Sequence, residues 1–255
     1  MVRASRAAGD GLMRHFRALS RLEVELKGPS DFVSAADLEA EATLRSALLG
    51  AFPTYGFVAE ESAAMSGTDS SARFIVDPLD GTTNFLRGIG HFAVSVGLER
   101  DGRMVAGVVF DPARDEMFVA EEGGGAWLGD ERMRVSADAD PSLVLVATGI
   151  PHANRPERHE AYLPKLAAAM RVAAGIRRFG AASLDLAYVA AGRFAVFFEY
   201  GLAPWDVAAG TLLVREAGGR VSEPAGGDRV VASGDVLATN GRLHDEMMAL
   251  LAGRG

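Results

Sequence analysis

Cysteine is absent from the 255 residues. That excludes a disulfide framework, cysteine-ligated zinc, iron–sulfur clusters and a thiol nucleophile. Lysine is nearly absent, with only Lys27 and Lys165, so the basic residues are almost all arginine. Positive charge is short overall. Lys and Arg number 26 against 34 Asp and Glu, a net charge of −8. A basic face for nucleic acid is therefore not expected. Long apolar runs are missing as well. The apolar stretch 184–198 is broken by Asp185 and Arg193, and a spanning helix needs roughly 18–20 apolar residues. The segment MVRASRAAGDGLMRHFRALSRLE carries an Arg every few residues and no apolar core of signal-peptide length. These features predict a cytoplasmic protein with no membrane partner.

What is present is a large apolar fraction, 49%, enough for a sizeable core and too much for a disordered chain. The length fits one large domain or two closely joined halves. Periodicity predicts helices over 3–20 and 34–51, then short strands at 56–60 and 73–76. In 91–100, Phe92, Val94, Val96 and Leu98 alternate with Ala93, Ser95, Gly97 and Glu99, a strand pattern. Asp101-Gly102 signals a hairpin into a strand at 103–110, and 115–121 supplies another. The second half changes rhythm. Strands at 142–148, 176–179, 193–199 and 236–239 alternate with helices at 156–173, 183–191, 205–217 and from 242. The fold class expected is layered α/β, with an antiparallel sheet first and a smaller α/β half after it.

Four acidic segments stand out: Asp31–Asp37, Ala59-Glu60-Glu61-Ser62, Phe74–Phe85 and Pro204–Gly210. The third is the most informative. An apolar strand delivers Asp77 at its carboxyl end, where α/β folds collect ligands. Pro78 interrupts an ordinary ladder, and Asp80 turns back toward the same point. The Leu79 carbonyl between them is a third oxygen donor, a set suited to Mg²⁺. Gly81-Thr82-Thr83 then opens a short helix whose free N–H groups suit a phosphate. Asp-Pro and Asp-Gly are also common turn dipeptides; taken alone, Glu60 reads first as a surface strand end and Asp206 as a helix-start residue. If the acids converge, they need cations or protons. Two carboxylates about 5 Å apart repel by roughly 3 kcal/mol at an effective dielectric near 20.

Other chemistry is poorly represented. The histidines His15, His91, His152, His159 and His244 show no HExxH spacing. Gly88-Ile-Gly90-His-Phe-Ala93 lacks a strand–turn–helix frame, and neither a P-loop nor a Gly-x-Ser-x-Gly elbow occurs.

Phe74–Arg87 and Trp205–Gly219 together resemble the two signatures of the inositol monophosphatase family. Order and spacing agree, and the two upstream acidic segments match too, so the similarity covers residues 5–252 as one domain with its halves meeting near residue 140. The resemblance implies an αβαβα sandwich and two or three Mg²⁺ ions held by Glu60, Asp77, the Leu79 carbonyl, Asp80 and Asp206. It implies that Thr82, with Asp37, orients and helps deprotonate the attacking water, with Glu60 also catalytic. It implies that N–H groups of Gly81 and Thr82 hold the phosphate, and that Asp80, Ala182, Glu199 and Asp206 face the alcohol. Glu61 would stand behind these and Lys27 near them. Ala181 and Ala195 occupy positions that are polar in many relatives, which bears on substrate contacts. The expected activity is that of an inositol-phosphate phosphatase, a lithium-sensitive hydrolase acting on myo-inositol 1-phosphate as a homodimer. Within the same family, histidinol phosphate, adenosine 3′,5′-bisphosphate and fructose 1,6-bisphosphate are alternative substrates. A regulatory binding role in a transcription complex is the non-enzymatic alternative.

Overall fold

The computed structural model describes residues 1–21, 24–28, 31–151 and 156–254; for residues 21–33 and 152–156 it describes no side chains. The first half runs α1 (Val2–Phe16), β1 (Val24–Gly28), β2 (Asp31–Ser34), α2 (Ala35–Ala51), β3 (Gly56–Ala59), β4 (Ala72–Asp80) and α3 (Thr82–Leu86). It continues through β5 (Ala93–Arg100), β6 (Arg103–Asp111), β7 (Glu116–Glu121), β8 (Gly125–Leu128) and β9 (Glu131–Arg132). The second half runs β10 (Leu145–Thr148), α4 (Pro156–Val172), β11 (Gly175–Arg177), α5 (Ala182–Ala190), β12 (Val196–Glu199) and α6 (Pro204–Glu216). It ends with β13 (Arg220–Ser222), α7 (Val230–Ser233), β14 (Val236–Thr239) and α8 (His244–Leu251).

Strands β3 to β9 form a seven-stranded sheet in sequence order, and the second sheet has the order β11-β10-β12-β14-β13. The first sheet is antiparallel as expected except at β3 and β4, which are parallel. Parallel neighbours need a crossover of about a dozen residues, and residues 60–71 provide it. The second sheet is mixed: β10 is parallel to β11 and β12, while β14 is antiparallel to β12 and β13.

Five layers result. Helices α1 and α2 cover one face of the large sheet, α5 and α6 lie between the two sheets, and α4 and α8 cover the far face of the small one. The alternation in β5 explains the sandwiching. Phe92, Val94 and Val96 enter the core under α1 and α2, whereas Ala93 faces the core containing α5 and α6. A sheet buried on both faces has no polar side, so both phases of the alternation are apolar or small.

The structure shifts several expected boundaries. The first helix stops at Phe16 and a 3₁₀ turn follows at Leu19–Arg21. Strand β4 does not end at Asp77; it runs on to Asp80 with a slip in register between Asp77 and Asp80. Pro78 has no N–H to donate, so pairing is lost locally and resumes at Asp80 opposite Ala93. The hairpin of β1 and β2 and the short strands β8, β9 and β13 fall outside the strands expected from the pattern.

Candidate active site

The register slip in β4 sets the geometry. Asp77 and Asp80 are both buried at the strand's end, and the Leu79 N–H donates to Asp77 Oδ1 at 2.9 Å. From the other half of the chain comes Asp206, in the first turn of α6. Its Oδ2 accepts the Ala203 N–H at 2.7 Å, so the carboxylate closes the helix start that Pro204 opens. Ser95 on β5 anchors the same helix by donating from Oγ to the Trp205 carbonyl at 3.1 Å. One carboxylate oxygen from each of Asp77, Asp80 and Asp206 lies within 4.8 Å of the others.

The electrostatics are those of a site short of positive charge. Burial, and then the charges of Glu60, Asp80 and Asp206, hold Asp77 well above the usual carboxylate range. Burial, with Asp80 next, pushes Asp206 up to about 8. Burial also raises Asp80, opposed by donors from Ser183 and Ala182. All the donors are oxygens, and the group lies beside a backbone turn. That set fits a hard divalent cation and not a soft one.

Glu60 follows β3 and is half-buried; it stands outside the group of three but near enough for its charge to act on Asp77. The Leu79 side chain is fully buried, and its carbonyl accepts from Thr82 Oγ1 at 3.0 Å. Thr82 Oγ1 also lies 3.3 Å from Asp37 Oδ1. Asp37 caps α2, taking the Ser34 N–H at 2.9 Å and the Ser34 Oγ at 2.6 Å on its other oxygen. Burial raises the Asp37 carboxyl, and the Ser34 bonds offset part of that. Gly81 precedes α3 with φ of 90°, a conformation that favours glycine. A Cβ there would meet the His91 carbonyl at 3.0 Å and the Ala181 Cβ at 3.3 Å.

The opposite wall comes from α5 and β12. Ser183 donates both its N–H, at 2.8 Å, and its Oγ, at 2.5 Å, to Asp80 Oδ2. Ala182 begins α5 and is buried. Glu199 ends β12, half-buried, with its carboxylate in the space where Gly149 has no Cβ. Burial pushes Glu199 up to about 7, with the nearby Arg178 guanidinium opposing.

A model of the family described as "Inositol monophosphatase family" matches residues 1–254. This chain belongs to the inositol monophosphatase family. It is 53% identical over 240 residues to a protein of Rhizobium meliloti (strain 1021) named inositol-1-monophosphatase, covering 94% of this chain and 90% of that one. It is 42% identical over 248 residues to a protein of Escherichia coli (strain K12) named Nus factor SuhB, covering 97% and 92%. The solved structure of extragenic suppressor protein suhB from Bartonella henselae superposes with a TM-score of 0.95 at 48% identity, covering 98% and 96%.

Within this inositol monophosphatase fold, Ser34, Ser183 and Asp185 are the polar residues beside the site that sequence reasoning did not single out. Ser34 and Ser183 carry a signal only in hindsight, as small polar residues at helix starts. Asp185, in the first turn of α5, is buried, and its Oδ1 has no partner among the described residues. Ala181 lies against Gly81. Ala195 packs instead with Val144, Val146 and Tyr162 in the core under α4 and α8, just before β12 begins at Val196. The Lys27 and Asp31 side chains and all of His152 lie outside the described residues.

Proposed function

We propose that this member of the inositol monophosphatase family is a Mg²⁺-dependent phosphate monoesterase whose substrate is myo-inositol 1-phosphate. The observation that carries the reading is the convergence of buried Asp77 and Asp80 with half-buried Asp206 beside the turn that presents Gly81 and Thr82. Glu60, Asp77, the Leu79 carbonyl, Asp80 and Asp206 would hold two or three ions. Bound there, Mg²⁺ lowers the pKa of a water and offsets charge on the departing ester oxygen.

The chain's own groups do the positioning. The N–H groups of Gly81 and Thr82, unpaired within a helix start, orient the phosphate. Thr82 has one hydroxyl proton and two acceptors within reach, Asp37 Oδ1 and the Leu79 carbonyl. Donating to Asp37 leaves its oxygen free to accept from water, so a proton passes from water through Thr82 Oγ1 toward Asp37. Glu60 contributes its charge to the same corner. At the mouth, Glu199 accepts hydroxyl protons of the polyol, and Ala182, Asp80 and Asp206 flank the ring. A homodimer and a cytoplasmic location complete the reading; the name Nus factor belongs to the E. coli relative, and this chain's net charge of −8 disfavours nucleic acid.

The test is phosphate release from inositol 1-phosphate, histidinol phosphate, adenosine 3′,5′-bisphosphate and fructose 1,6-bisphosphate. The largest kcat/KM is expected on inositol 1-phosphate. Activity should vanish in chelator, return with Mg²⁺ and fall with Li⁺. Full activity in chelator overturns the metal reading; a preference for histidinol phosphate overturns the substrate and leaves the chemistry standing.

A further inference from the structure

Residue 84 lies on α3, two positions after Thr82. Its Nδ2 donates to the His91 carbonyl at 2.9 Å and to the Phe179 carbonyl at 2.8 Å. Both neighbours are acceptors only, so the amide nitrogen must face them, and both of its protons are used. The two carbonyls belong to the two sides of the site. The His91 carbonyl is the atom against which Gly81 packs. Phe179 sits between the end of β11 at Arg177 and the start of α5 at Ala182.

That connecting segment has little else to fix it. Arg178 and Phe179 are exposed, and the Phe179 ring leans on His91 and Phe194. Yet it carries Arg178, whose charge opposes the burial of Asp80, Asp185 and Glu199. It also leads into the α5 turn, where Ser183 grips Asp80. One side-chain amide thus fastens the phosphate turn to the segment that leads into α5.

We infer that Asn84 is a positioning residue that sets the span between the phosphate-binding turn and the mouth that reads the alcohol. It acts through the backbone of residues 179–183 and touches no reacting atom. The inference rests on the reading of the site proposed above.

Three variants test it: Asn84→Ala removes the donors, Asn84→Ser keeps one, and Asn84→Asp keeps the size but turns acceptor oxygens toward two carbonyls. The first readout is amide hydrogen exchange in the full chain. Exchange at 179–183 should rise about tenfold or more in Asn84→Ala, in line with two lost hydrogen bonds, while β5 stays protected. The second is the ratio of kcat/KM on the best hydroxylated phosphate ester to that on p-nitrophenyl phosphate. It should fall about tenfold in Asn84→Ala, less in Asn84→Ser and more in Asn84→Asp. Unchanged exchange at 179–183, a rise spread over the whole chain, or equal losses on both esters overturns the inference. If the wild type hydrolyses no polyol phosphate, the proposed substrate falls, and the exchange arm still decides for or against the clamp. Should Asn84→Asp fail to fold, the order of Asn84→Ser and Asn84→Ala decides.

Discussion

The two ends of the site are built in opposite ways. The end proposed to hold phosphate is one continuous piece, Asp77 to Thr82, shaped by a single slip in β4. The end proposed to face the alcohol is assembled from Gly149, residues 178–183 and residues 199–206, which meet because two sheets share a helix layer. The first can keep its shape through local bonds such as Leu79 N–H to Asp77 and Thr82 to Leu79. The second depends on long-range fastening. The chemistry should therefore be tolerant of changes at the mouth that leave Ser183 and Asp206 in place, and alcohol preference should be sensitive to them.

The largest effect separating the two ends is expected at Thr82. Thr82→Ala removes the hydroxyl between Asp37 and Leu79 and leaves every carboxylate in place. General-base contributions are typically 10²–10⁴-fold, so kcat should fall by about that amount on all phosphate esters. Calorimetric Mg²⁺ affinity should be little changed. A variant with wild-type kcat would reduce Thr82 to a packing role.

A smaller and selective effect is expected at Glu199. Loss of a hydrogen bond to a charged group is worth roughly 1.5–3 kcal/mol, about tenfold to a hundredfold in kcat/KM. Glu199→Gln should show that loss on inositol 1-phosphate and largely spare p-nitrophenyl phosphate. Equal losses would mean that Glu199 supports both ends together, and the contrast drawn above would fail.

The same contrast explains what could be read from sequence. Asp77, Asp80 and Thr82 were legible because strand, turn and helix start follow one another within a few residues. The alternation from Phe92 to Leu98 was legible because pleating is local. Ser183 was not, since its partner Asp80 is 103 residues away in sequence. Asn84 stood within a recognisable motif, but its bond to Phe179 spans 95 residues. The place of Ala195 was not legible, because it lies just before β12, where the two-residue alternation of the strand no longer holds. The strands β8, β9 and β13 are too short to show a period, and their neighbours in the sheet supply what their own sequence does not.

A third effect concerns stability alone and belongs to the second half. His244 is fully buried, bonded to Ser222 Oγ at 2.9 Å and Thr239 Oγ1 at 3.0 Å, and burial lowers its pKa to about 4. The unfolded chain takes up this proton near pH 6.5, so it binds more protons between pH 6.5 and 4. Stability from His244 is complete above that window and declines as pH falls through it, by roughly 3 kcal/mol at most. Denaturant unfolding of wild type and His244→Gln across pH 4–7 should show a shallower acid slope in the variant. Parallel slopes would remove His244 as the cause.

Helices α5 and α6 have a consequence for how this protein can change over generations. Every residue of α5 is buried, as is α6 from Val207 to Val214. A helix with no outward side offers no surface on which sequence can drift, because each substitution presses on one sheet or the other. What remains open is where each helix begins, and both begin at the site. Altered appetites for alcohols in this architecture should therefore be found at residues 178–183 and 199–206, with the layer behind them passed down nearly unaltered.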